Sequence, residues 1–156
     1  MLLVWHREGV RRAPERWHAQ CSGYLLEAMR LYRVLMSAVR QAFGELGERV
    51  AARWLSRQGW RVMNRRFRSG HRDIDLVVER DGLVAFVEVK ARHGDRFGDP
   101  VEAVNWKKQR ELARSAHVWI ERHGRPGESY RFDVFGVLVQ GESVRVRHVP
   151  DAFRLH

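Results

Sequence analysis

The sequence contains a single cysteine, Cys21, among its 156 residues. One cysteine excludes an internal disulfide framework and a zinc site built from several cysteines. It agrees with a reducing compartment, so we expect the protein in the cytoplasm. No stretch approaches the roughly 20 apolar residues that a membrane-spanning helix needs. The apolar start at residues 1–5 is too short for the core of a signal peptide and is followed by charges, so we expect no secretion.

Lysine is also scarce in this basic chain. Of the 29 basic residues only Lys90, Lys107 and Lys108 are lysines, and the formal net charge is +10. Such a charge indicates a polyanionic partner, which is either nucleic acid or an acidic membrane surface. Arginine suits bidentate contacts with phosphate, although the base composition of the genome explains an arginine excess equally well. The eight histidines are scattered without the spacing of a metal site.

Two acidic residues and a lysine interrupt otherwise apolar strands in the middle of the chain. An Asp-Gly pair at residues 81–82 separates two apolar, β-branched runs and predicts a β-hairpin. Because side chains alternate between the faces of a strand, Glu88 and Lys90 share one face, and the hairpin brings Asp75 close to them. Two carboxylates held in this way form a hard oxygen site that suits Mg²⁺, and the lysine can orient or deprotonate a water molecule.

The Glu88-Val89-Lys90 triplet also has a simpler interpretation. A Val-Glu-Val-Lys alternation is typical of a solvated sheet face, on which a cross-strand ion pair contributes roughly a few tenths of a kcal/mol. Two observations favour a site instead. Val84 and Phe86 lie on the same face as Glu88 and Lys90, so this face is apolar at one end and charged at the other. Alternation also places Asp75 opposite in phase to its two apolar neighbours, where the chemistry needs a carboxylate.

Further matches to a known family extend over residues 43–153. The matching positions are Gly44, Gly47, Glu48, Ala51, Gly59, Asn64, 73–76, 86–92, 97–98, Val104, Lys107, Lys108, 131–134, His148, Ala152 and Phe153. With them the chain resembles the YraN-like family of uncharacterised bacterial proteins, within the PD-(D/E)xK, or restriction-endonuclease-like, superfamily. The core of that family is akin to archaeal Holliday-junction resolvases. This chain departs from the family pattern where Gly-Glu usually precedes Ile-Asp-Leu, because Arg72 and Asp73 stand there, whereas Asp75 is intact.

The resemblance implies a metal-dependent nuclease. Asp75 and Glu88, with the carbonyl of Val89, would hold one or two Mg²⁺ ions, with Mn²⁺ as a substitute. Lys90 would position or deprotonate the attacking water. In resolvase-like relatives a glutamate on the opening helix completes the metal shell, and that role falls to Glu48, although a solvent-facing glutamate fits helix statistics equally well. The resemblance also allows a homodimer.

Basic residues are predicted around the carboxylates. Lys107, Lys108 and Arg110 open a long helix, where unpaired N–H groups already favour phosphate. We predict a basic track that holds a DNA backbone with little sequence preference. Its members are Arg65, Arg66, Arg68, Arg92, Arg96, Lys107, Lys108 and Arg110. Trp106 has the chemistry to stack a base, but we expect it in the core.

The order of elements predicts an α/β, restriction-endonuclease-like fold, in which a mixed five-stranded sheet is flanked by helices in the order α-β-β-β-α-β-β. The predicted helices cover 45–58, ended by Gly59, and 101–123, with a break or cap at Asn105. The predicted strands are 60–67, 73–78, 83–90, 130–140 and 143–149.

We assign residues 42–156 to the nuclease domain and residues 1–41 to a basic N-terminal extension. Residues 24–43 of this extension alternate charged and apolar positions every three or four residues, which predicts an amphipathic helix. We interpret the extension as packing on the domain, or as preceding a true start at Met29 or Met36, because the family resemblance begins only near residue 43.

Three functions follow from these observations. The first is a metal-dependent DNA endonuclease, acting on branched or processed DNA. The second is a nucleic-acid-binding protein on a nuclease scaffold that has lost turnover. The third is an adaptor at a membrane surface that uses the amphipathic helix without stable insertion.

Overall fold

The computed structural model describes residues 15–70, 72–94 and 104–154, with the side chains of residues 26–70, 73–94 and 104–154. The chain divides into two compact units, Met1–Arg40 and Gln41–His156. Among the described helices, none combines the length and the apolarity needed to cross a membrane.

Helix α1 spans Glu15–Arg57. The two helices predicted over 24–43 and 45–58 are therefore one, because Gly44 lowers helix propensity by only about 1 kcal/mol and no proline interrupts the run. In the first unit, large apolar side chains lie exposed along this helix, among them Leu26, Leu31 and Tyr32.

The second unit contains the predicted mixed sheet, with its five strands in the order β1-β2-β3-β4-β5. Strands β3 and β4 pair in parallel, and the three other neighbouring pairs are antiparallel. A parallel pair needs a crossover connection, and helix α2 lies within it. The strands are β1 (Arg61–Ser69), β2 (Arg72–Arg80), β3 (Leu83–His93), β4 (Ser129–Gln140) and β5 (Ser143–Phe153), and α2 is Trp106–His123. The predicted fold class is confirmed.

Two buried clusters cover the two faces of the sheet. Ala51 and Leu55 of α1 pack in one cluster with Val87 of β3, whereas Trp119 of α2 packs in the other with Phe86. Alternation along β3 therefore places Glu88 and Lys90, which share the phase of Phe86, on the face that α2 covers. Each of these two side chains lies beyond the apolar part of that face.

Gly47 lets α1 approach β3 closely. A Cβ atom built on Gly47 would lie 2.6 Å from the Cβ of Ala91 and 3.5 Å from a methyl group of Val89. A larger residue would push the helix away from the strand, because real Cβ contacts are longer than this. Ala91 directly follows Lys90, and Glu48 directly follows Gly47. The contact between Gly47 and Ala91 therefore positions Glu48 near Glu88 and Lys90.

Helix α2 begins at Trp106, inside the predicted range of 101–123; residues 101–103 lie outside the described part of the chain. Asn105 is the predicted cap, and its side chain accepts a hydrogen bond of 3.0 Å from the backbone N–H of Lys108. Val104, just before the cap, is buried against α2 and the sheet. The expectation that Trp106 is a core residue is wrong, because 68% of its surface is exposed.

Candidate active site

The site lies where β2 and β3 stop pairing with each other. Their paired positions run from Arg80–Leu83 to Leu76–Val87. Asp75 directly precedes Leu76 in β2. Its Oδ2 atom accepts a 2.7 Å hydrogen bond from the backbone N–H of Val89, so a side chain takes the place of a backbone acceptor here. The carboxylate of Asp75 is therefore fixed against the backbone between Glu88 and Lys90.

The predicted alternation around Asp75 holds toward Leu76 and fails at Ile74. Leu76 packs in the cluster on the α1 side and Val77 in the cluster on the α2 side, so alternation places Asp75 on the α2 side, as predicted. Ile74 also packs on the α2 side, so it is the residue that departs from the alternation. On the opposing strand Arg66 has a φ of +48°, although the register is the same on either side of it.

Glu88 is the buried carboxylate of the site, with a side chain that is only 3% exposed. Lys90 donates a 2.6 Å hydrogen bond to its Oε1 atom. The ammonium of Lys108 lies 3.3 Å from Oε2 and forms an ion pair with it. Among the residues that the structure describes, Oε2 has this contact but no hydrogen bond of regular geometry. Buried carboxylate oxygens usually have at least one such bond.

Burial and the neighbouring charge of Glu88 raise the pKa of the Asp75 carboxyl to about 7, against the opposing effect of the Val89 hydrogen bond. The negative charge of Glu48 raises this pKa further, and the positive charge of Lys108 lowers it. For Lys108 itself, burial is the largest single influence and lowers the pKa, but the charge and contact of Glu88 together with the charges of Asp75 and Asp73 raise it above its ordinary value. The site therefore concentrates negative charge that the protein's own cations balance in part.

The raised pKa of Asp75 predicts that metal-free protein loses stability as the pH rises from about 4 to about 7. In this window the unfolded chain has released the proton at its ordinary pKa of 3.8, whereas the folded protein holds it up to a pKa of about 7. The folded state then binds more protons, so rising pH favours unfolding, by roughly 2–4 kcal/mol in total. Asp75→Asn removes this titration, and its free energy of unfolding should rise relative to wild type between pH 4 and pH 8.

Urea denaturation in EDTA across this pH range measures the effect. Asp81→Asn is the matched control, because Asp81 is 94% exposed in a turn whose positive φ asparagine tolerates. It should follow wild type at every pH. A constant difference between Asp75→Asn and wild type over the whole range would contradict the prediction.

Glu48 of α1 belongs to the second unit, and its carboxylate is bound by Arg66 of β1. The guanidinium of Arg66 donates to both carboxylate oxygens of Glu48, at 2.8–3.1 Å, and to Glu45 at 3.3 Å. The charge of Glu48 still acts on Asp75. Among the residues that the structure describes, however, no three His, Cys, Asp or Glu side chains are grouped as a metal-binding cluster. The carboxylate pair Asp75 and Glu88 is thus the centre of the site, with Glu48 behind Arg66.

The members of the predicted basic track have three different positions. Exposed side chains belong to Arg65, Arg68, Arg92, Lys107 and Arg110. Arg66 and Lys108 instead turn toward carboxylates. Arg96 lies outside the described residues. The role of the exposed members in binding nucleic acid stays a prediction.

Lys108 was predicted on the surface, as part of the basic track, but the spacing of buried residues along α2 indicates that it faces the sheet. Lys108 precedes the buried residues Leu112, Ser115 and Trp119 at helical spacings of four, seven and eleven residues, on one face of α2. The same phase turns Trp106 away from the sheet. The helical pattern of burial therefore distinguishes the two residues.

A second buried carboxylate, Asp133 of β4, was matched only as part of the family resemblance. It accepts hydrogen bonds from Arg131 at 2.9 and 3.0 Å and from the backbone N–H of Asp151 at 3.0 Å, and it lies 2.8 Å from Nε2 of His148. It shares the phase of Phe135 in the α1-side cluster, so the sheet separates it from Glu88. Its satisfied bonds indicate a structural role.

Comparison with known proteins connects this geometry to a family. Residues 47–137, which include Glu48, Asp75, Glu88, Lys90 and Lys108, match the Uncharacterised protein family UPF0102. The chain belongs to this family. UPF0102 is the YraN-like family and belongs to the restriction-endonuclease-like superfamily, which confirms the resemblance stated from the sequence.

Similar UPF0102 proteins occur in several bacteria. The chain is 41% identical to a UPF0102 protein of Myxococcus xanthus over 116 residues, which are 74% of this chain and 92% of the relative. It is 40% identical to one of Chloroherpeton thalassium over 122 residues, covering 72% and 94% of the two chains. It is 41% identical to one of Trichlorobacter lovleyi over 123 residues, covering 78% and 97%.

Proposed function

We propose that this UPF0102 protein is a metal-dependent DNA endonuclease of the cytoplasm that hydrolyses phosphodiester bonds in branched or processed DNA. The observation that supports this most is the state of Glu88. Its carboxylate is buried, its charge raises the pKa of Asp75, and among described residues Oε2 has only the 3.3 Å ion pair with Lys108. A carboxylate with a purely structural role usually accepts regular hydrogen bonds on both oxygens, as Asp133 does.

The donor set fits Mg²⁺. This ion is usually bound through one or two carboxylates and completes its shell with water and substrate phosphate. Asp75 and Glu88 would hold it, with the Val89 carbonyl, and Glu48 would join them if Arg66 released it; Mn²⁺ accepts the same ligands. A bound ion would polarise the scissile phosphate and lower the pKa of a water molecule.

The chain's own cations have defined parts in this reaction. Lys90 carries a partly exposed ammonium 2.6 Å from Glu88, so it can donate to a water molecule and align it for in-line attack, or accept its proton when neutral. Lys108 supplies a second positive charge on the other oxygen of Glu88. The exposed members of the basic track would hold the DNA backbone without reading its sequence.

A second function is favoured by a specific observation. The carboxylates of the site already have cationic partners without any metal, since Glu88 pairs with Lys90 and Lys108, and Glu48 pairs with Arg66. A site balanced in this way can persist in a protein that binds nucleic acid and has lost turnover. Wild-type activity separates the two functions.

The deciding experiment incubates purified protein with linear, single-stranded and four-way-junction DNA in Mg²⁺, in Mn²⁺ and in EDTA. We expect cleavage in either metal and none in EDTA. Lys90→Gln should lower the rate by about 10²- to 10⁴-fold, the range that a positioned acid or base contributes. Arg122→Gln, an exposed change in the last turn of α2, is the control and should cleave like wild type. Tight DNA binding without cleavage in either metal would establish the second function instead.

A further inference from the structure

Trp106 lies exposed at the capped start of α2. It is the first residue of α2, between the capping residue Asn105 and the inward-facing Lys108. The side chain of Gln109 also donates a 3.0 Å hydrogen bond to the carbonyl of Val104, which ties the first turn to the buried residue before the cap. The indole is thus 68% exposed on a fixed backbone and not at a frayed end. An exposed tryptophan alone has no special meaning, but its surroundings do.

The surroundings of Trp106 are basic. The indole and its neighbours Lys107, Arg110, Glu111 and Arg114 line a shallow depression on the outer side of α2. Three of these side chains are cationic and one is acidic. The guanidinium carbon of Arg110 lies 5.7 Å from the centroid of the Trp106 ring, so a cation and an aromatic face are presented together.

This depression, the Trp106 surface, lies at the same end of α2 as Lys108, which contacts the carboxylate site. Lys108 reaches Glu88 from the same helical turn that carries Trp106. Residues two apart on a helix point in nearly opposite directions, so Trp106 faces outward across a helix that is roughly 10 Å wide. A strand whose phosphate enters at Asp75 and Glu88 would reach the indole within a few nucleotides.

We propose that the Trp106 surface binds a single-stranded DNA segment, with an unpaired base stacked on the indole and its phosphates held by Lys107 and Arg110. The faces of bases in a continuous duplex are covered by their neighbours, whereas every unpaired base offers a free aromatic face. This inference rests on the proposed nuclease function for its catalytic part, because it specifies which DNA that nuclease would cleave. It makes the substrate a DNA in which a single-stranded overhang, gap or splayed branch adjoins the cleaved phosphate.

The test measures the affinity of full-length protein in EDTA for a labelled single strand and for the duplex of the same sequence. Trp106→Ala should weaken binding of the single strand by about 5- to 100-fold, the range for loss of one base stack, and change duplex binding by less than about twofold. Trp106→Phe keeps an aromatic face and should stay within about threefold of wild type. Val144→Ala, which shortens another half-exposed apolar side chain, should change neither affinity.

Two outcomes would overturn the proposal: single-strand affinity that Trp106→Ala leaves unchanged, or equal losses on single strand and duplex. Circular dichroism confirms the fold of each variant, and an exposed position should tolerate these changes. The stacking site and the nuclease function can fail independently. If the protein prefers single strands through Trp106 but cleaves no DNA, the stacking site stands and the nuclease function is overturned. If the protein cleaves DNA but Trp106→Ala does not change its preference for single strands, the nuclease function stands and the stacking site is overturned.

Discussion

Asp75→Asn and Glu88→Gln should each lower Mg²⁺-dependent DNA cleavage by at least about a thousandfold, equivalent to roughly 4 kcal/mol of activation free energy. Both changes keep the size of the side chain and remove one negative charge. Asparagine can still accept the N–H of Val89, and glutamine can still accept from Lys90, so the local fold should survive. The amide oxygens that remain are poor ligands for a hard divalent cation.

Three measurements on the same proteins make this result specific. Single-turnover rates give the loss of cleavage, and the increase in melting temperature on adding Mg²⁺ gives metal binding without any substrate. DNA affinity in EDTA at pH 8, above the pKa of about 7 for Asp75, should be equal to that of wild type or higher, because each change then removes a negative charge from the proposed phosphate-binding site. Asp81→Asn should behave like wild type in all three. Full cleavage by either site variant would move the active site elsewhere.

Asp133→Ala should lower the free energy of unfolding by about 3–5 kcal/mol, the usual effect of removing one partner from a buried ion pair. Asp133 is 1% exposed, and its loss would leave Arg131 and His148 without their carboxylate. Its position also matters for the strand beside it. Phe132 pairs with Phe153 and Val134 with Val149, so Asp133 alone stands opposite residues 150–152 of β5. Its carboxylate accepts the N–H of Asp151 in this bulge, where no regular ladder bond is available.

Urea denaturation at neutral pH measures this effect, and Asp133→Asn provides a milder variant if the alanine protein does not fold. Asparagine keeps an acceptor for the Asp151 N–H but not the charge that pairs with Arg131, so we expect an intermediate loss. Glu121→Ala breaks an exposed pair with His117 on α2, and its effect should stay below about 1 kcal/mol. A loss of the same small size for Asp133→Ala would show that the buried network contributes little to stability.

Local signals in the sequence predicted the elements that depend on a few adjacent residues. The Asp-Gly turn predicted the β2–β3 hairpin, and Asn105 predicted the cap at the start of α2. These features were predictable because turn geometry and capping depend on residue type. The ordered family motifs likewise indicated the UPF0102 family and its sheet.

The tertiary structure decided which side chains from separate elements meet. The paired positions of β2 and β3 end at Leu76 and Val87, and the N–H of Val89 beyond them is bound by the Asp75 carboxylate. The rotation of α2 about its axis sends Lys108 to Glu88 and leaves Trp106 exposed. Strand register and helix rotation result from the packing of the whole core. A one-residue change of register would exchange the two faces of a strand, and a one-residue shift of a helix would turn its buried side by about 100°. The sequence by itself therefore determined which residues are candidates for the chemistry, because that depends on residue type, and packing determined their partners.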